Sequence, residues 1–166
     1  MPAAAAGPRL PGGLLVAVLA AVGLVAAGGS TSHASSPSSA GRPAMVEVRG
    51  TSLGAQLVDT HGRTLYLFAK DRGIRSTCYG ACAQLWPPLT TASRAVAGDG
   101  VGAAKLGSSS RTDGTSIVTY AGHPLYTYAG DTAPYDDTGQ AIDQFGASWY
   151  AVAPSGRTIT ARPTAG

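Results

Sequence analysis

The sequence predicts an all-β fold, in which two pseudo-repeated antiparallel hairpin units share one aromatic core, with one short turn or helical turn at a pair of cysteines. Three observations support this fold class. Glycine and proline are abundant, at 23 and 11 of 166 residues, which is typical of a chain with many turns and short elements. Apolar and polar residues alternate from Met45 onwards, as they do in half-buried strands. A stretch that begins at Leu57 is repeated 60 residues later.

Residues 1–27 are predicted to be a signal peptide. Arg9 supplies a positive charge, and Leu14 to Ala27 is an uncharged apolar stretch. Its length suits the apolar region of a signal peptide, about 7 to 15 residues, rather than a membrane span of about 20. We expect cleavage after Ala27, with an uncleaved membrane anchor as the alternative. No cysteine lies near this point, so a lipid anchor is not expected.

Residues 28–44 are rich in Ser, Gly, Ala and Pro and are predicted to form a disordered tether. Residues 45–163 then form the predicted secreted domain. Charged residues make up 13% of the chain, the net charge is +3, and the basic residues are scattered. This pattern favours neither a nucleic acid nor an anionic membrane surface as a partner.

The internal repeat organises the predicted domain. Leu57 to Asp71 aligns with Ile117 to Asp131 at a constant offset of 60 residues without a gap. The repeats are expected to cover about residues 52–90 and 113–154, joined by a linker over about 91–112. The matching anchors are Gly62 with Gly122, Leu65 with Leu125, Tyr66 with Tyr126, Phe68 with Tyr128, and Asp71 with Asp131. Trp86 and Trp149 follow at similar distances.

Each repeat is predicted to be a hairpin, with a turn at 60–62 or at 121–122. Because side chains alternate along a strand, Tyr66 and Phe68 should share a face, as should Tyr126 and Tyr128. Further strands are expected at 46–49, and at 149–153 paired with 157–160. Neither hairpin unit buries enough apolar surface alone, so the two should close around the shared aromatic core.

These residues also resemble the motifs of a known protein family. The segments YLFAKD, which ends at Asp71, and YTYAGD, which ends at Asp131, fit the pattern Y-x-(F/W/Y)-x-x-D. In this the chain resembles a bacterial secreted-repeat, lipoprotein-like family of unknown function. The segments around Cys78, Trp86 and Trp149 look like the same family, and the resemblance covers about residues 52 to 154. It implies an envelope or secreted location and no established activity.

Cys78 and Cys82 have the spacing C-x3-C, and four interpretations are open. A structural disulfide ranks first, followed by a redox dithiol, a metal-binding pair and a haem attachment. Haem attachment and thiol exchange favour C-x-x-C spacing, and a zinc site needs four ligands. A disulfide here would stabilise the turn before Trp86.

Asp71 and Asp131 are predicted to accept hydrogen bonds from the amides of the loops that follow them. The alternative is a Ca²⁺ site, although the acidic spacing does not fit an EF-hand loop.

His61 and His123 are expected to be solvated residues near turns. The aromatic residues could line a groove for a sugar or cofactor ring, but they are expected to form the core. The acidic residues considered for Ca²⁺ are Asp131, Asp136, Asp137 and Asp143.

No pattern in the sequence assembles a nucleophile, a base and an orienting group. We therefore predict a non-catalytic, extracytoplasmic module, envelope-associated or secreted, that is binding or structural, with no cofactor and no metal. Its partner would be an envelope component, with membrane contact only through an uncleaved leader, and it is expected to be a monomer. The alternative is an extracytoplasmic redox or electron-transfer accessory protein that uses the Cys pair or a bound cofactor. The residues predicted to have a structural or binding role are Tyr66, Phe68, Asp71, Trp86, Tyr126, Tyr128, Asp131 and Trp149.

Overall fold

The structure, a computed structural model, describes residues 42–161. The predicted signal peptide and nearly all of the predicted tether lie outside the described residues, and both stay predictions. Among residues 42–161, no helix is long and apolar enough to cross a membrane.

The predicted all-β fold is confirmed, since the described residues form short strands, one α-helix of five residues and one 3₁₀ helix. Strands β1 to β4 belong to the first half and β5 to β9 to the second. In chain order the elements are β1 (Met45–Thr51), β2 (Gly54–Asp59), β3 (Tyr66–Phe68), α1 (Ala81–Leu85), β4 (Val96–Ala97), the 3₁₀ helix (Ala103–Lys105), β5 (Leu106–Ser110), β6 (Ser116–Tyr120), β7 (His123–Pro124), β8 (Asp143–Gln144) and β9 (Ala147–Ala151).

The strands form three sheets of three strands each. In the first sheet β1 lies between β2, which is antiparallel to it, and β4, which is parallel. The second sheet has the order β3-β9-β8 and the third β5-β6-β7, and both are antiparallel. In the second sheet β3 of the first repeat pairs with β9 of the second, so the repeats share a sheet rather than lying side by side.

The helix α1 occupies the position of the predicted helical turn at the Cys pair. Gly80 precedes it with a φ of 57°, a conformation that glycine adopts without strain. Pro87 and Pro88 follow soon after the helix ends. Proline lacks the amide hydrogen that a helix needs, and it disfavours helical geometry in the residue before it. The local sequence therefore limits α1 to little more than one turn.

The core consists of two clusters of buried side chains. One is aromatic and contains the motif tyrosines, the two tryptophans and the Cys pair. The other is mainly aliphatic, with Leu57, Leu65, Val118 and Leu125 among its members. Equivalent leucines of both repeats, Leu65 and Leu125, lie in this same cluster. The two repeats thus close around a common interior.

The repeats are equivalent at their first strands as well. Val46 pairs with Asp59 and Leu106 pairs with Tyr120, so β1 with β2 corresponds to β5 with β6. The prediction of a linker over 91–112 is wrong in this respect, because β5 (Leu106–Ser110) is the first strand of the second repeat. Its run of small polar residues gave no apolar alternation that would have indicated a strand.

The predicted offset of 60 also needs one correction. The Leu65 amide donates to the Leu57 carbonyl, whereas the equivalent Leu125 amide donates to Val118. Residues in β6 therefore correspond to residues 61 positions earlier, since the turn of the first hairpin is one residue longer.

The expected hairpin of 149–153 with 157–160 is reduced to an isolated bridge between Val152 and Thr158. The predicted strand at 46–49 is confirmed within β1.

Candidate functional site

The motif tyrosines Tyr66 and Tyr126 lie opposite each other where the two repeats meet. The amide of Tyr66 donates to the carbonyl of Tyr126 at 2.8 Å, and the amide of Tyr126 donates to that of Tyr66 at 2.9 Å. This reciprocal pair has the pattern of an approximate two-fold axis. Each motif is therefore placed beside the other one.

The phenol groups cross between the repeats. Tyr66 Oη donates to Asp131 Oδ2 at 2.7 Å, and Tyr126 Oη donates to Asp71 Oδ2 at 2.7 Å. Each tyrosine thus binds the aspartate of the other repeat and not that of its own. We call these two hydrogen bonds the crossed Tyr–Asp bonds.

The second oxygen of each aspartate closes the loop that follows it. Asp71 Oδ1 accepts from the amide and hydroxyl of Thr77, at 2.7 and 2.8 Å. Asp131 Oδ1 accepts from the amide and hydroxyl of Thr138, at 3.0 and 2.6 Å. The predicted hydrogen bonds to loop amides are present. Thr77 and Thr138 were not among the predicted residues, although their similar distance from each aspartate could have indicated them.

Burial dominates the electrostatics of these groups. It raises the pKa of the Tyr66 and Tyr126 phenols well above the usual 10.0, and the negative charge of the facing aspartate adds to the effect. Burial also raises the pKa of Asp71 and of Asp131 above 3.8, although their hydrogen bonds oppose it. The phenols therefore stay neutral at any physiological pH.

Four aromatic rings form a continuous stack beside the crossed bonds. The Trp86 and Trp149 rings lie 4.0 Å apart and within 5° of parallel. Phe68 stacks on Trp149 at 4.0 Å, and Tyr128 stacks on Trp86 at 4.3 Å. Both indoles have no exposed area. The tryptophans therefore belong to the core, as the sequence analysis expected.

The motif tyrosines close the sides of this stack. Tyr66 meets Trp86 edge to face at 5.3 Å, and Tyr126 meets Trp149 in the same way at 5.2 Å. A Cβ at Gly139 would lie 2.8 Å from Trp86 and 2.9 Å from Tyr66. Only glycine therefore fits at this position without displacing a ring. The amide of Gly139 also donates to Tyr66 Oη, at 3.3 Å.

Cys78 and Cys82 form the predicted disulfide. It spans the start of α1 and packs within the aromatic cluster. Cys78 has no exposed area and Cys82 has 6%. The disulfide is therefore shielded from solvent.

Arg111 is a buried residue that the sequence analysis did not single out, since it lies in the stretch expected to be a linker. Its guanidinium donates to the Cys78 carbonyl at 2.9 Å and to Ser76 Oγ, and it pairs with Asp113. Ser76 Oγ lies 2.8 Å from Tyr126 Oη. Arg111 therefore connects the disulfide to one crossed Tyr–Asp bond, and no sequence pattern points to this role.

The remaining predicted residues are dispersed. His61 is exposed, as expected, whereas His123 is half-buried in β7 rather than fully solvated. Asp136 accepts from the amides of Thr132 and Ala133. Within residues 42–161, no group of three or more His, Cys, Asp or Glu side chains is arranged to hold a metal ion.

Comparison with known proteins found a family match. A family model described as a secreted repeat of unknown function covers residues 48–90 and 107–153. The chain belongs to this family. Its two matched regions begin within β1 and β5, so the secreted repeat corresponds to the structural repeat defined by the strand pairing. Searches of curated proteins and of solved structures found no significant match.

Membership of the secreted-repeat family makes this chain an extracellular module of unknown function. The disulfide fits that location, because such bonds persist in oxidising compartments outside the cytoplasm. The residues of the Y-x-(F/W/Y)-x-x-D pattern form the crossed Tyr–Asp bonds and supply the two outer rings of the aromatic stack, Phe68 and Tyr128.

Proposed function

We propose that this secreted repeat is a non-catalytic, envelope-associated module whose motif stabilises the fold while its surface binds an envelope component. One observation carries the proposal: the motif side chains are satisfied by one another. Each phenol bonds a carboxylate, and each carboxylate bonds a threonine of its own loop. Little hydrogen-bonding capacity is left over for a substrate.

The chemistry of these groups also argues for a structural role. A general base must accept a proton near neutral pH and must reach its substrate. The buried phenols of Tyr66 and Tyr126 hold their protons, because burial raises their pKa. The indoles that could stack on a sugar or a cofactor ring are covered on both faces by other rings.

The second candidate, a redox accessory, depends on the Cys pair. Thiol–disulfide exchange requires that a thiolate reach a sulfur atom. Both sulfur-bearing residues are buried in the aromatic cluster, and Arg111 covers the Cys78 carbonyl. This burial favours a structural disulfide over a working dithiol.

Two measurements on the full chain test the proposal. In cells that export the protein, fractionation should recover it with the envelope, with a cytoplasmic enzyme as the marker for lysis. Recovery in the cytoplasm would contradict the proposed location. Thiol titration of the folded protein in mild reductant should detect no free thiol until denaturant is added. Reversible reduction in the folded state would instead support the redox accessory.

A further inference from the structure

A groove of about 630 Å³ lies away from the crossed Tyr–Asp bonds. Its walls are the start of β1, the turn between β2 and β3, and residues 87–90. Arg42, His61 and Arg63 line it, with Asp59 as the acidic residue among the lining. The groove thus has an excess of basic side chains.

Asp59 holds the guanidinium of Arg63 in one orientation. The Asp59 side chain is 4% exposed, and its Oδ2 accepts from Arg63 Nε at 2.8 Å and lies 2.6 Å from Nη2. Its Oδ1 accepts from the amides of His61 and Arg63, which fixes the turn. The ion pair is therefore part of a rigid turn.

The guanidinium has a second edge, formed by Nη1 and Nη2. Among the described residues, none but Asp59 accepts a hydrogen bond from this side chain, which is 47% exposed. Two parallel N–H donors match the two oxygens of a carboxylate or a phosphate. An anion could therefore bind Arg63 without displacing Asp59.

The second repeat provides an internal comparison. There Tyr120 occupies the position of Asp59, and His123 that of Arg63. This turn closes with Tyr120 and His123 paired along the backbone and without an ion pair. A smaller groove of about 490 Å³ lies beside it, lined by His123, Tyr150 and Arg157. The second repeat thus closes its turn, which is one residue shorter, without a charged pair, whereas in the first repeat the buried Asp59 carboxylate carries a desolvation cost.

We infer that the groove at Arg63 binds an oxyanion, a carboxylate or a phosphate group of a ligand whose body lies against Pro87 and Pro88. Arg63 binds the anion through its free edge, and Arg42 adds a second positive charge in the same groove. This site specifies what the proposed module binds. It rests on the proposed function in one respect, namely that the ligand is bound and released without chemical change.

NMR titration of the full chain with sodium succinate and, separately, with sodium phosphate tests the site. The Arg63 Nε–H signal and the amides of the groove should shift and saturate, and sodium chloride at equal ionic strength should not reproduce this. The anion that saturates at lower concentration identifies the group that the groove prefers. Shifts that do not saturate, or that chloride reproduces, would overturn the inference.

The substitution Arg63→Lys keeps the charge but removes the two-donor edge, so it should weaken binding by about tenfold. Arg42→Gln should also weaken binding, and it lies outside the turn. Arg157→Lys, in the smaller groove, is the matched control and should leave the affinity unchanged. Wild-type affinity in Arg63→Lys or in Arg42→Gln would overturn the site. A negative titration would leave the fractionation and thiol tests of the proposed function unaffected.

Discussion

Alkaline pH should unfold this protein through two particular side chains, the phenols of Tyr66 and Tyr126. Both are fully buried, and both donate to a carboxylate. In the unfolded chain each phenol ionises with a pKa near the usual 10.0, whereas in the folded state the pKa is raised. The native state therefore holds two protons that the unfolded state releases above pH 10.

The size of the effect follows from proton linkage. Because the pKa of both phenols is raised in the folded state, the stabilisation that their retained protons provide is fully present below pH 10. It is lost as the pH rises towards the folded pKa. Each retained proton contributes a slope of about 1.4 kcal/mol per pH unit, so two give about 2.7 kcal/mol per unit. By about pH 12 the free energy of unfolding should have fallen by about 5 kcal/mol. That loss equals the whole stability of a marginal small domain.

Urea unfolding at a series of pH values measures this slope. Tyr66→Phe and Tyr126→Phe should each halve the slope, because only one retained proton is left, whatever their effect on stability at neutral pH. Tyr135→Phe is the control, because that side chain is 48% exposed and should leave the slope unchanged. Tyrosinate absorbance that shows all seven tyrosines ionised, while the circular dichroism is still that of the folded protein, would contradict this prediction.

Four further results are expected, all measurable by urea or thermal unfolding. Asp131→Ala and Asp71→Ala should each lower the free energy of unfolding by about 1 to 3 kcal/mol. EDTA should not change the stability of the wild type or of the variants. Asp131→Ala should be the worse of the two, because Tyr126 Oη keeps Ser76 as a partner whereas Tyr66 Oη keeps only the Gly139 amide, itself a donor. Because burial raises the pKa of both carboxyls, the stability linked to their protonation is fully present below pH 3.8 and is lost as the pH rises through the raised folded pKa. The hydrogen bonds to Thr77 and Thr138, which the Ala variants remove, do not depend on that proton. Asn at either position should reduce the pH-dependent loss, and an unchanged pH profile would contradict the assignment. Gln56→Leu should stabilise by about 1 kcal/mol, since Gln56 Oε1 is buried without a partner among the described residues and Thr64 keeps its bond to the Asp136 carbonyl. A destabilised variant would show that the hydrogen bond from Gln56 Nε2 to Thr64 Oγ1 outweighs the unpaired oxygen. Replacing both cysteines of the disulfide by alanine should cost about 2 kcal/mol on the loop-entropy model, and a loss of folding would mean that the bridge holds more than its turn.

Local patterns predicted the elements of the fold well. The Y-x-(F/W/Y)-x-x-D segments correctly placed Tyr66 in a strand, but the strand expected around Tyr126 is reduced to an isolated bridge, because β7 ends at Pro124. The C-x3-C spacing placed the disulfide at a helical turn. These features depend on residues that are close together in the chain. Alternation and turn chemistry are therefore enough to predict them.

The connections between the repeats could not be predicted in the same way. An internal alignment pairs Tyr66 with Tyr126 as equivalents, but it does not say whether Tyr66 bonds Asp71 or Asp131. That choice depends on packing across the approximate two-fold axis. The burial and contacts of Arg111 could not be predicted for a related reason. Its partners Ser76 and Cys78 are more than 30 residues away in the sequence, and the residues next to it give no pattern of a buried segment.

The crossed Tyr–Asp bonds also bear on how many repeats a chain must carry. A lone repeat would have one phenol and one carboxylate, each lacking the partner that the other repeat supplies here. Two such chains could complete each other by exchanging the same contacts, as a symmetric dimer does. The parity of the repeat number should thus govern assembly: an even number can be satisfied within one chain, and an odd number leaves one repeat that must pair with a second molecule.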